Sequence, residues 1–117
     1  MAEEFKKKEA TEATFSKAFE AASSAAQKTL QYFGDRVLYK DNLAKLKPNF
    51  MDNLMQIKDN NGGVFSFSVG DAKAAKAFGD ALRRSLPKDY IVSVIGPNIS
   101  VEVKAKDQKF AFSDSER

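Results

Sequence analysis

The chain has 117 residues, 19 basic against 16 acidic side chains, a net charge of +3, and no histidine, cysteine or tryptophan. Imidazole and thiolate chemistry are therefore excluded, and with them the commonest general base, every Cys nucleophile and the usual zinc ligands. The length suits one domain, and 43% hydrophobic residues with ten Phe can fill a core without disulfides or a structural metal.

Residues 1–10 are charged, weakly patterned and read as a tail. From Thr11 the pattern turns helical: Phe15, Phe19, Ala22, Ala26, Leu30 and Phe33 recur every three or four residues and share one stripe. Glu12 suits the positive end of the helix dipole and Gly34 reads as a stop. A long N-terminal helix is thus predicted over residues 11–33, about 34 Å at 1.5 Å per residue. Its second half has small side chains nearly all round. That lets another backbone come close, from the rest of the domain or from a second copy of the chain.

Residues 35–58 carry mixed signals. Residues 36–40 resemble a strand, and residues 42–47 a helical turn that ends before Pro48. Phe50, Leu54 and Ile57 keep helical spacing, whereas Met55 and Ile57 alternate, and period alone does not separate the two in short segments. The run Asp59-Asn60-Asn61-Gly62-Gly63 is a dense turn signal. It favours a strand over residues 53–58, paired as a hairpin with residues 64–69, which alternate cleanly and are rich in β-formers.

Gly70-Asp71 then caps a helix with Ala74, Ala75, Phe78, Ala81, Leu82 and Leu86 on its inner face, and Pro87 marks its end. Residues 90–95 and 99–105 form a second hairpin around Gly96-Pro97-Asn98. Residues 34–105 therefore make the core of an α+β domain: an antiparallel sheet, two hairpins around a central helix, behind the long N-terminal helix. Residues 106–117 read as a polar tail interrupted by Phe110-Ala111-Phe112.

The chemistry-bearing patterns are few. No Gly-rich phosphate loop is present. A calcium loop starting at Asp59 fails at its fifth, sixth and twelfth positions, which hold Gly63, Val64 and Gly70. The carboxylates Asp35, Asp41, Asp52, Asp71, Asp80 and Asp89 fall at helix starts, turns and exposed faces, and no serine is paired with a lysine by spacing. No catalytic, metal or cofactor site is expected, and the chain reads as a non-enzyme.

The basic groups Arg83, Arg84, Lys88, Lys104, Lys106 and Lys109, with Phe65 and Phe67 on one strand, offer a nucleic-acid reading through aromatic stacking and phosphate contacts. The alternation opposes it. Val64, Ser66 and Ser68 form the less buried set, which sends Phe65 and Phe67 inward with Val101 and Val103, against Phe78 and Leu82. The outward face then shows Ser66, Ser68, Ser93, Ser100, Glu102 and Lys104. Such a face, bland and weakly charged, is open to cover by the N-terminal helix or by a partner. Phe110 and Phe112 either dock on the domain or anchor another protein.

No apolar run reaches the length of a membrane span, and residues 1–9 have no secretory core, so a cytoplasmic protein without a membrane contact is expected. The Asn98-Ile99-Ser100 sequon is then a chance match. These readings converge on a small interaction or regulatory module that binds another protein, a homodimer being one arrangement. The expected contact is Ala22, Ser23 and Ala26 on the helix, Ser66, Ser68 and Ser100 on the sheet, and Phe110 and Phe112 in the tail. Nucleic-acid binding through the six basic residues is the alternative.

Overall fold

The computed structural model describes residues 9–31 and 33–104. Helices α1 (Glu12–Gln27) and α2 (Phe33–Asp59) come first, followed by strand β1 (Gly63–Ser68), helix α3 (Ala72–Ser85) and strands β2 (Ile91–Ile95) and β3 (Asn98–Val103). The strands form one antiparallel sheet in the order β1-β3-β2. The α+β class, the antiparallel sheet and the long N-terminal helix are as the sequence indicates. The helices pack together on one side: α2 lies against β1, α3 against β2 and β3, and α1 across α3 and α2. None of the three described helices is long and apolar enough to cross a membrane.

Thr11 caps α1 by accepting the Thr14 N–H at 3.1 Å. The helix buries Phe15, Ala18, Phe19, Ala22, Ser23 and Ala26, most of the stripe read from spacing. It ends at Gln27 and not at residue 33. The last turn tightens to i→i+3 bonds, with the Thr29 N–H on the Ala26 carbonyl and the Leu30 N–H on the Gln27 carbonyl, both at 3.1 Å. The Thr29 hydroxyl also donates to the Ala26 carbonyl at 2.7 Å, and Arg36 Nε takes the Leu30 carbonyl at 2.7 Å. These side chains satisfy carbonyls that a continuing helix would use, and Gly34 falls in the first turn of α2.

Two expectations for residues 35–58 are corrected. Residues 36–40 and 53–58 are not strands; both belong to α2, 27 residues and about 40 Å long. The run at residues 59–63 closes this helix and does not turn a hairpin. Asn61 adopts φ 58, the Asn61 N–H bonds the Lys58 carbonyl at 3.2 Å, and the Gly62 N–H bonds the Ile57 carbonyl at 3.0 Å. That pair of bonds is a Schellman cap, which needs the same left-handed Asn and the same Gly as a tight turn does. Pro48 sits inside α2, where it removes one helical hydrogen bond and costs about 3 kcal/mol. Burial of Leu43, Phe50, Leu54 and Ile57 on both sides of it offsets that cost, at about 1.5–3 kcal/mol per large side chain.

The core is organised by four phenylalanines from four elements. Phe19 of α1 meets Phe50 of α2 at 5.0 Å between ring centroids and Phe78 of α3 at 5.5 Å. Phe67 of β1 closes the circuit, 5.9 Å from Phe50 and 5.7 Å from Phe78, edge-on to both. Phe65 stacks beside Phe67 at 5.2 Å. Both strand phenylalanines therefore point inward, as the alternation requires.

The remaining sheet follows the sequence closely. Asp71 caps α3 through the Ala74 N–H at 2.9 Å, and the expected inner face of that helix is buried. Ile95 and Asn98 flank the two-residue turn Gly96-Pro97, with Gly96 at φ 57. Proline cannot adopt positive φ, so this is the II′ arrangement with Gly first. The Val69 N–H bonds the Pro97 carbonyl at 3.0 Å, which ties the end of β1 to the turn.

Helix α3 approaches the sheet at Gly79, where an added Cβ would run into Val94 Cγ2. Gly79→Ala is expected to destabilise the fold by about 1–3 kcal/mol despite its better helix propensity. Val94→Ala in the same chain should recover part of that loss. Urea unfolding of the two variants checks both; a single variant as stable as the wild type would contradict the close approach.

Candidate functional site on the open sheet face

The strand registers place nine side chains on the face turned away from the helices, in three cross-strand rows. They are Val64, Glu102 and Ile91; Ser66, Ser100 and Ser93; and Ser68, Asn98 and Ile95. Ser66, Ser68 and Ser100 are thus brought together as the sequence suggests, with Ser66 and Ser100 hydroxyls 3.3 Å apart. No described helix covers this face. Val64 is 63% exposed, Ile91 44% and Ile95 77%. Glu102 is the single charge among the nine.

The three exposed aliphatics extend the predicted site. Their signal was present: Ser93 marks the outward phase of β2, and Ile91 and Ile95 share that phase. An almost wholly apolar strand obscures it, because every residue except Ser93 looks fit for the core.

The other expected contact residues separate. Ala22 and Ala26 are fully buried and Ser23 is 7% exposed, so all three are taken up inside the chain by packing. Ser23 also accepts a hydrogen bond from Gln27 Nε2 at 3.0 Å. They do not join the sheet face in this conformation. Phe110 and Phe112 lie outside the described residues.

Four of the six basic residues fall within the described residues. Arg83 donates through Nε to the Val92 carbonyl at 3.1 Å and pairs through Nη1 with Asp80 at 2.7 Å. Arg84 and Lys88 are exposed around the end of α3, and Lys104 is exposed just past β3. Lys106 and Lys109 lie outside the described residues. Among the described residues no aromatic ring stands on the open face to stack a base.

Clefts also lie elsewhere among the described residues. One, of about 410 Å³, runs between α1 and α2 beside the Glu20–Lys47 ion pair, 2.7 Å long. Another, of about 470 Å³, opens between α2 and the end of β1 and includes Tyr39, Leu43, Leu46, Val69 and Asp71. Within it Tyr39 donates its hydroxyl to the Val69 carbonyl at 2.7 Å, while Asp71 is engaged as a helix cap. Burial, and then the Asp71 carboxylate, push the Tyr39 phenol up to about 12. Among the described residues no three acidic side chains gather as a metal site would require.

Comparison with known proteins gives no matching family model, no matching curated protein and no matching solved structure.

The Tyr39 phenol gives a pH dependence of defined sign. Its folded pKa lies above the unfolded value near 10, so its contribution is whole below about pH 10 and is lost as pH rises through 12. Unfolding free energy should therefore fall across that window, and more steeply than in Tyr39→Phe. Denaturant titrations of both proteins at intervals from pH 9 to 12 check this; parallel pH curves would remove the claim.

Proposed function

We propose that the chain is a non-enzymatic, cytoplasmic protein-interaction or regulatory module whose contact surface is the open face of the sheet. The observation that carries this reading is the combination of Val64, Ile91 and Ile95 with a serine row and a single carboxylate on a face no described helix covers. Exposed aliphatics bounded by small hydroxyls bury well against a second apolar surface. The serines lose little side-chain entropy on contact. One charge leaves little desolvation to overcome. The inward phenylalanines also support it, since a base-stacking sheet would turn such rings to solvent.

A photo-reactive side chain at Ser93 tests the reading in lysate of the source cells. It should crosslink a discrete protein, a photo-reactive side chain at Lys73 on α3 should not, and adding Ile95→Lys should cut the Ser93 yield at least tenfold. The Ile95 change alters an exposed position, so the unfolding midpoint should stay nearly unchanged. Equal crosslinking from both positions, or yield that survives Ile95→Lys, would overturn the sheet face as the contact.

A further inference from the structure

The two edges of the sheet are not alike. In the β2–β3 hairpin the pair flanking the two-residue turn, Ile95 and Asn98, exchanges both backbone bonds, so Ser93 and Ile91 also bond inward to β3. Val92 and Val94 then turn their backbone groups to the outer edge. Arg83 occupies that edge by donating to the Val92 carbonyl at 3.1 Å. A charged side chain across an edge is a familiar block against strand addition.

Among the described residues edge β1 carries no such guard. Alternation along β3 assigns Ile99, Val101 and Val103 to bonding with Phe67, Phe65 and Gly63. Val64, Ser66 and Ser68 therefore direct their backbone N–H and C=O groups outward. Among the described residues none of these outward groups has a backbone or side-chain partner outside the sheet. The strand Gly-Val-Phe-Ser-Phe-Ser has no charge and no proline.

The flank of α2 beside this edge is mostly uncharged, with Lys45 and Asp52 at its outer border. Lys40 and Lys47 lie on the side of α2 toward α1, whereas Asn42 and Leu46 lie toward residues 68–71. Continuing the second stripe by helical spacing adds Asn49, Asn53 and Gln56. Asn53 Nδ2 donates to Asn49 Oδ1 at 2.9 Å, as neighbours on one stripe do. Near a two-fold axis each residue meets its own counterpart, so an uncharged strand sets no like charges together when two copies pair.

We propose that β1 pairs antiparallel with β1 of a second copy, with the two-fold axis at Ser66, to make a continuous six-stranded sheet. This rests on the binding reading above and names a second copy as the occupant of one edge. In this register Val64 faces Ser68 of the other copy and Ser66 faces its counterpart. Six residues of strand give about 20 Å of contact length. With the α2 flank beneath, the contact lies at the small end of specific interfaces, the class of weak and reversible dimers.

The test uses the full chain across about 1 µM to 1 mM in sedimentation and amide exchange. A concentration-dependent dimer is expected, with protection of the Ser66 amide that rises with dimer fraction. Ser66→Pro removes no ladder bond, because that N–H points outward, and Ser66→Lys sets two cations opposite each other at the axis. Each should weaken dimerisation at least tenfold while circular dichroism is retained. The chain has no cysteine, so Ser66→Cys should give an oxidised dimer, whereas Ser93→Cys, about 24 Å from its counterpart in a six-stranded sheet, should not. A monomer at 1 mM, a dimer indifferent to both Ser66 variants, or Ser66 protection independent of concentration would overturn the pairing. The last result assigns the edge to the chain's own segments. Loss of the Ser93 crosslink on Ile95→Lys in a chain that stays monomeric overturns the pairing and leaves the binding reading intact.

Discussion

Phe19, Phe50, Phe67 and Phe78 form a closed circuit of ring contacts with one ring from each of α1, α2, β1 and α3. One of these contacts, Phe19–Phe78, joins elements that are not consecutive in the chain, and each ring pins its element to two others. Aromatic pairs of this kind add about 0.5–1.5 kcal/mol apiece beyond burial of their surface. The circuit also has a direction. Phe67 can join it only from the inner face of β1, so the phase of that strand follows from the helix packing. Its neighbours Ser66 and Ser68 are then committed to the other face. The open surface is thus a consequence of how the core closes.

Much of this was legible in the sequence, and the failures share a cause. The α3 cap at Asp71, its inner face and the Gly96-Pro97 turn are set by neighbours within a few residues, and spacing finds them. The segment at residues 59–63 is different. Asn-Gly chemistry serves any point where the backbone must turn left-handed, whether between two strands or behind a helix. What decides between these uses is the partner of the preceding residues. Ile57, Leu54 and Phe50 find theirs in the helical core, and the helical spacing of those three was the better clue. Pro48 weighed against it, but one lost hydrogen bond is small beside four buried apolar side chains.

The contact residues show the same division. Small side chains at Ala22, Ser23 and Ala26 signal close approach, yet they do not say whether the approaching surface belongs to the same chain. Here it does. The serine face was read from alternation alone and stands open, whereas Ile91 and Ile95 on the same face were masked by the apolar run around them. Arg83 was visible as a basic residue at a helix end. Its bond to the Val92 carbonyl depends on a strand nine residues later, and no local pattern announces it.

Strand order carries a further consequence, one of timing. The central strand of the sheet, β3, follows both of its neighbours in the chain. β1 and β2 make no ladder with each other, so neither has a partner until residues 98–103 arrive. The helices can associate early through local contacts, while the sheet waits for its middle. Pairing β1 with β3 closes a loop of 29 residues (69–97) between Ser68 and Asn98, a slow step compared with helix formation. Until then β1 exposes both edges, and the guard at Arg83 protects a strand that has not yet joined a sheet. During synthesis the nascent chain holds the uncharged strand β1 unpaired for the time taken to make α3 and the hairpin that completes the sheet.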